Sequence, residues 1–110
     1  MANTFTRKLQ QNVGATATRI GNYTVAAGTS TVVIGLTVTN TTGSAINANV
    51  FVNNGVANTY VVANSPISSG ASLVAVGGDQ KIVLITGDSI WVQSSASTSI
   101  DAVMSIMEIT

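Results

Sequence analysis

At 110 residues, 45% of them hydrophobic, the chain is long enough to bury one core and too apolar to be a disordered tail. Only 7% of residues are charged and the formal net charge is zero. Four basic residues (Arg7, Lys8, Arg19 and Lys81) and five aromatics make neither a phosphate-tracking stripe nor a stacking platform, which excludes sequence-independent nucleic-acid binding.

The chain opens on "MANTFTRKLQQNVG", which lacks the apolar run of a signal peptide. It reads as a polar arm over residues 1–14, ahead of a β-sandwich domain over 15–110. Arg7 and Lys8 would let the arm reach a neighbouring subunit. A frayed terminus or one turn of helix fits the same residues.

Beyond it the period is two almost everywhere. The first strand is expected from Thr16 to Val25. In "TVVIGLTVT" Val32, Ile34, Leu36 and Val38 form one face, and Thr31, Val33, Gly35, Thr37 and Thr39 the other. "INANVFV" alternates likewise, with Ile46, Ala48, Val50 and Val52 inward and Asn47, Asn49 and Phe51 outward. Further strands are expected at Asn58 to Ala63, Ala71 to Val76, Lys81 to Ile85, Ser89 to Ser94 and Ile100 to Ile109. Breakers such as "NTTGSA", "VNNGVA", "NSPISSG" and "VGGDQ" separate them. About eight short strands bounded by turns indicate an all-β, single-domain antiparallel sandwich, jelly-roll-like. The most apolar run, "STVVIGLTV", is too short and interrupted to span a bilayer, so no membrane partner is expected.

Three places break the alternation. Phe51 lies on the Asn face of its strand, and Trp91 points away from Ile90 and Val92. The last strand is apolar on both faces, with Met104 and Ile106 on one and Val103, Met107 and Ile109 on the other. Burial on both faces accounts for the last strand, and packing under a loop accounts for Trp91. Contact with a neighbouring subunit accounts for Phe51, Trp91 and Met107 together, since aromatics and Met are enriched at interface cores. The expected interface set is Arg7, Lys8, Phe51, Trp91 and Met107.

Catalysis finds little to work with. Without His or Cys there is no imidazole or thiolate triad and no common zinc site. Asp79 and Asp88 flank a strand from Lys81 to Ile85, which sets them roughly 15–20 Å apart, too far to act on one bond. Each offers one carboxylate to its loop, poor for calcium, and Gly-Asp is ordinary turn chemistry. The expectation is a protein with no catalytic, cofactor-binding or metal residues.

Three stretches carry a resemblance: "TVVIGLTVTN", "YVVANSPISSGASLVAVGGDQKIVLITGDSIWVQS" and "SIDAVMSIMEIT". Over most of its length the chain resembles small virion structural proteins of tailed bacteriophages, especially phages of marine and freshwater bacteria. Its most specific parts are "P…GASL…GGDQKIVL…GDSI" and "IDAVMS…EI". The resemblance implies a non-enzymatic β-sandwich, present in many copies on the virion after assembly in the host cytoplasm. Its partners would be itself, as a homo-oligomer, and the major capsid protein, which it would decorate or cement, or a neck or tail protein. The low charge, lack of Cys and outward apolar residues fit such stacking independently. Two other readings remain from the residues. One is a carbohydrate- or receptor-binding module using Trp91, Tyr60 and Tyr23; the other is a small hydrolase using Asp79 or Asp88.

Overall fold

A computed structural model describes residues 2–110. Nine strands form two antiparallel sheets packed face to face: β1 (Asn3–Val13), β2 (Thr18–Arg19), β3 (Ser30–Asn40), β4 (Ile46–Asn53), β5 (Asn58–Ile67), β6 (Ser72–Val76), β7 (Ile82–Leu84), β8 (Ser89–Ser94) and β9 (Ile100–Ile109). Sheet A runs β1-β9-β3-β6, with β7 also on β3; sheet B runs β2-β8-β4-β5. β6 and β7 take different stretches of the same β3 edge, so they act as one interrupted strand. Apart from the β4–β5 hairpin and the β6–β7 pair, consecutive strands switch sheets, the winding of a jelly-roll-like sandwich.

The core between the sheets is aliphatic. Leu36, Val38, Val50, Ile90, Val92, Ile100, Met104 and Ile106 are all buried, each worth about 1.5–3 kcal/mol of transfer free energy. The expected strand at Ser89 to Ser94 and the last strand form as read from their alternation. Others differ, each for a local reason.

Residues 1–14 were expected as an arm, yet Asn3–Val13 is β1, paired with β9 almost throughout. Its alternation puts Phe5, Arg7 and Leu9 on one face and Thr6, Lys8 and Gln10 on the other, a strand pattern masked by its polarity. Met1 lies outside the described residues. The strand expected at Thr16 to Val25 shrinks to Thr18–Arg19, because Gly21 and Asn22 both take positive φ (59° and 56°) in a tight turn. A Cβ on Gly21 would stand 2.7 Å from the Lys8 Cβ, so this turn packs directly against β1. β5 runs past Ala63 to Ile67 despite Pro66. It is an edge strand, where a missing N–H need not break a ladder.

β3 holds the largest change of face. A bulge between Val33 and Gly35 resets its register on β9. Thr31 and Val33 therefore point into the core before the bulge, and Leu36, Val38 and Asn40 after it. Val32 and Ile34, expected inside, are only part-buried, because one inserted residue reverses a period-two pattern.

Tyr23 closes the sandwich at one end. Its hydroxyl lies 2.7 Å from Thr31 Oγ1 and donates to Glu108 Oε2 at 3.0 Å, while Lys8 Nζ sits 4.9 Å from the ring centroid. Burial raises the phenol's pKa above its ordinary 10; the Thr31 bond lowers it, and Glu108 raises it again by hydrogen bond and charge. The folded state thus favours the protonated phenol. Its contribution is complete below the unfolded value of about 10 and is lost as pH rises through the folded one. Urea melts between pH 8 and 11 should show stability falling at the alkaline end. Tyr23→Phe should flatten that fall and cost about 1–2 kcal/mol at neutral pH.

Candidate interaction surfaces

Each sheet turns one face to its partner and one outward. On sheet A, the register places Phe5, Met107, Val32 and Val83 directly opposite one another in a single row across β1, β9, β3 and β7. A second row, Leu9, Val103, Thr37 and Val74, crosses β1, β9, β3 and β6. Arg7 and Ser105 lie between the rows on the same face. Phe5 is 72% exposed, Val83 65% and Val74 62%. Apolar residues scattered singly over a surface are ordinary; here they line up in two rows.

On sheet B, Arg19, Trp91, Phe51 and Tyr60 form one row across all four strands. The Phe51 and Trp91 rings are parallel within 6° at 6.4 Å, and Tyr60 tilts over Phe51 at 5.2 Å. Phe51, outside the core cluster, is only 4% exposed because its two aromatic neighbours cover it. Amides flank the row. Asn49 Nδ2 donates to Gln93 Oε1 at 3.5 Å on one side, and Asn53 Nδ2 donates to Asn58 Oδ1 at 2.6 Å on the other. Trp91 Nε1 donates to Ser89 Oγ, which fixes the indole. Two adjoining recesses open here. One, of about 240 Å³, is lined by Ala17, Phe51, Asn53, Asn58 and Trp91; the other, of about 410 Å³, by Gln10, Ala17, Thr18, Arg19, Asn22 and Trp91.

The five residues singled out in the sequence therefore separate. Arg7 and Met107 share the outer face of sheet A, and Phe51 and Trp91 share that of sheet B. Lys8 joins neither, since its side chain turns inward over Tyr23. Tyr23 likewise leaves the aromatic platform, being buried against Thr31 and Glu108. Sequence reading passed over Phe5, Leu9, Val32, Val74 and Val83. The Phe5-Arg7-Leu9 alternation was a signal for β1; the face of Val32 depended on the bulge.

Asp79 and Asp88 lie in turns at opposite ends of β7. Asp88 Oδ2 accepts the Ile85 N–H at 3.0 Å, and Gly78 and Gly87 take positive φ beside the two aspartates. Lys81 Nζ donates to the Gly78 carbonyl. Among the described residues no three acidic, His or Cys side chains gather at one point, and no helix is long and apolar enough to cross a membrane.

Solved structures share this architecture. A protein from "Bacillus endospore appendages form a novel family of disulfide-linked pili" aligns over 98% of this chain and 88% of its own, with TM-score 0.58 and 16% identity. The nucleoplasmin-like N-terminal domain of Drosophila FKBP39 aligns over 98% and 91%, with TM-score 0.52 and 10% identity. What the chain shares with them is the fold. A pentameric capsid protein from metagenomic phage sequences is 23% identical over 91% of this chain, which spans 59% of that one, at TM-score 0.42. No protein-family model and no curated protein matches the sequence. The surfaces, rather than the fold, must therefore indicate what the protein does.

Proposed function

We propose that the protein is a non-catalytic structural subunit of a bacteriophage virion, a decoration or cement protein that self-associates and docks on the major capsid protein. The observation that carries this reading is the pair of largely apolar rows on the outer face of sheet A. Four strands at ~4.8 Å spacing and about five residues at ~3.4 Å rise give the two rows and the line between them a projected area of roughly 330 Å². Its corrugated accessible area exceeds that projection and lies in the roughly 300–600 Å² range of apolar patches that are often functional, about half of the ~800 Å² per partner of a standard interface. Arg7 is its one charged residue among the two rows and the line between them, so copies meet there without accumulating like charge. The β1 edge is a poorer route to assembly. Lys8 and a bulge between Gln10 and Val13 blunt it, as edges that avoid pairing are blunted. The sequence resemblance to virion proteins supports the same role.

The test is co-sedimentation of the purified protein with particles of the encoding phage, beside light scattering of the protein alone. Oligomers in solution and a bound copy number comparable to the major capsid protein are expected. A far smaller copy number would assign it to the neck or tail. A protein that stays monomeric up to ~100 µM and never binds particles would end the reading.

A further inference from the structure

We infer that the outer face of sheet B is a binding site for a neutral saccharide. The inference is independent of the virion role, since it uses the face opposite the one proposed for assembly.

The site is built across the full width of the sheet. Trp91, Phe51 and Tyr60 stand in register on β8, β4 and β5, so their spacing is set by the ladder rather than by a loop. Trp91 is anchored through Nε1 to Ser89, and Phe51 is held between its two neighbours. Tyr60, 51% exposed, offers a ring face and a hydroxyl to solvent. Such amphipathic aromatics present an apolar plane with a polar tip at low entropic cost. The C–H face of a pyranose ring complements that plane.

Hydroxyls need both donors and acceptors beside the plane, and amides supply both. Asn53 and Asn58 border the recess next to Phe51 and Trp91. Asn53 is committed on both sides, donating to Asn58 and accepting the Gly55 N–H at 2.8 Å. Asn58 uses only its Oδ1 in that pair, which leaves its Nδ2 available beside the aromatic row. In the second recess, Gln10 Oε1 accepts the Gly21 N–H and its amide nitrogen takes no part in that bond.

Charged groups are few at this site. Among the described residues Arg19 is the one cation lining these recesses, and its hydrogen bonds go to neutral acceptors. It donates through Nη1 to Thr24 Oγ1 at 2.8 Å and through Nη2 to Asn22 Oδ1, while its buried Nε has no hydrogen-bond partner among the described residues. Among the described residues no carboxylate lines either recess. A cationic ligand would find no counter-charge, and the one cation stands at the β2 end of the row with its Nη atoms turned to Thr24 and Asn22, whereas the uncharged aromatics and amides that make up the rest of the site match a neutral polyhydroxylated ring.

Trp91 is the protein's one tryptophan, so its emission reports directly on the site. The experiment titrates the full chain with maltohexaose, cellohexaose and hexa-N-acetylchitohexaose, alongside a neutral-glycan array. A saturable change in Trp91 emission is expected with at least one probe or array hit. Tyr60→Ala should weaken that binding about tenfold, the loss of one stacked ring, while the lost packing on Phe51 lowers the melting temperature by only a few degrees and leaves the protein folded. Asn58→Ala should weaken it several-fold. Silence from all three hexasaccharides and the array would overturn the proposal, as would binding indifferent to both substitutions. Loss of particle binding by Tyr60→Ala, with no saccharide bound by the wild type, would also overturn it and make the row a protein contact.

Discussion

Val103→Asp, combined with Val83→Asp, is expected to abolish association through sheet A while leaving the monomer folded. The two side chains stand in different rows of the apolar face, both exposed, so the monomer gains little from burying them. Surface changes of this kind usually move stability by ~0.5 kcal/mol or less. In an assembled contact the two carboxylates would be buried with only Arg7 between the rows to share, at several kcal/mol for the charge left unpaired. Self-association and particle binding should therefore fall by at least about a hundredfold, equivalent to ~2.7 kcal/mol. Sedimentation velocity and particle pull-down would read the effect. Val56→Asp is the matched control, an exposed apolar residue in the β4–β5 turn, away from both rows. If the double variant associates as well as that control, the outer face of sheet A is not the contact.

Asn40→Ala should produce the largest loss of stability from one polar side chain. Asn40 ends β3 fully buried, with each hydrogen-bonding position of its amide occupied. Nδ2 donates to the carbonyls of Ser44 at 2.8 Å and Ile67 at 3.0 Å. Oδ1 accepts from the Thr42 N–H at 2.9 Å and from Thr42 Oγ1 at 2.7 Å. One amide thus joins the end of a sheet A strand, the loop into sheet B and the end of β5. Alanine strands the Ile67 carbonyl and the Thr42 N–H, at about 1–3 kcal/mol for each buried group left unpaired. A total near 3–4 kcal/mol is expected, or roughly 10–20 °C in Tm for a domain of this size. Asn40→Asp should be at least as damaging, because it keeps the acceptors and loses both donors facing carbonyls. Urea unfolding of the three proteins is the check. A change below 1 kcal/mol in Asn40→Ala would mean that the loop is held by other contacts.

Asn40 also shows how a sequence hides such a role. In "TVTNTTGSAIN" it reads as a turn former, and Asn is ordinary there. Its burial depends on β4 and β5 folding over it from the other sheet. The aromatic row is hidden in the same way. Phe51 and Trp91 could each be placed on an outward face from their own neighbours. That they stack, with Tyr60 and Arg19 completing the line, depends on pairing between strands up to tens of residues apart.

The all-β class, the strands at Ser89 to Ser94 and Ile100 to Ile109, and the turn role of the Gly-Asp pairs were legible in local pattern. Alternation and turn chemistry are properties of a few neighbouring residues, and no distant contact overrode them here. Which face each strand shows, and to whom, was decided by tertiary structure. The Val33–Gly35 bulge turned Val32 outward, and pairing with β9 made a polar terminus into β1. Register then aligned Phe5, Met107, Val32 and Val83 into one surface. Register is a relation between strands, set by a single inserted residue and by long-range pairing, so no window along one strand contains it.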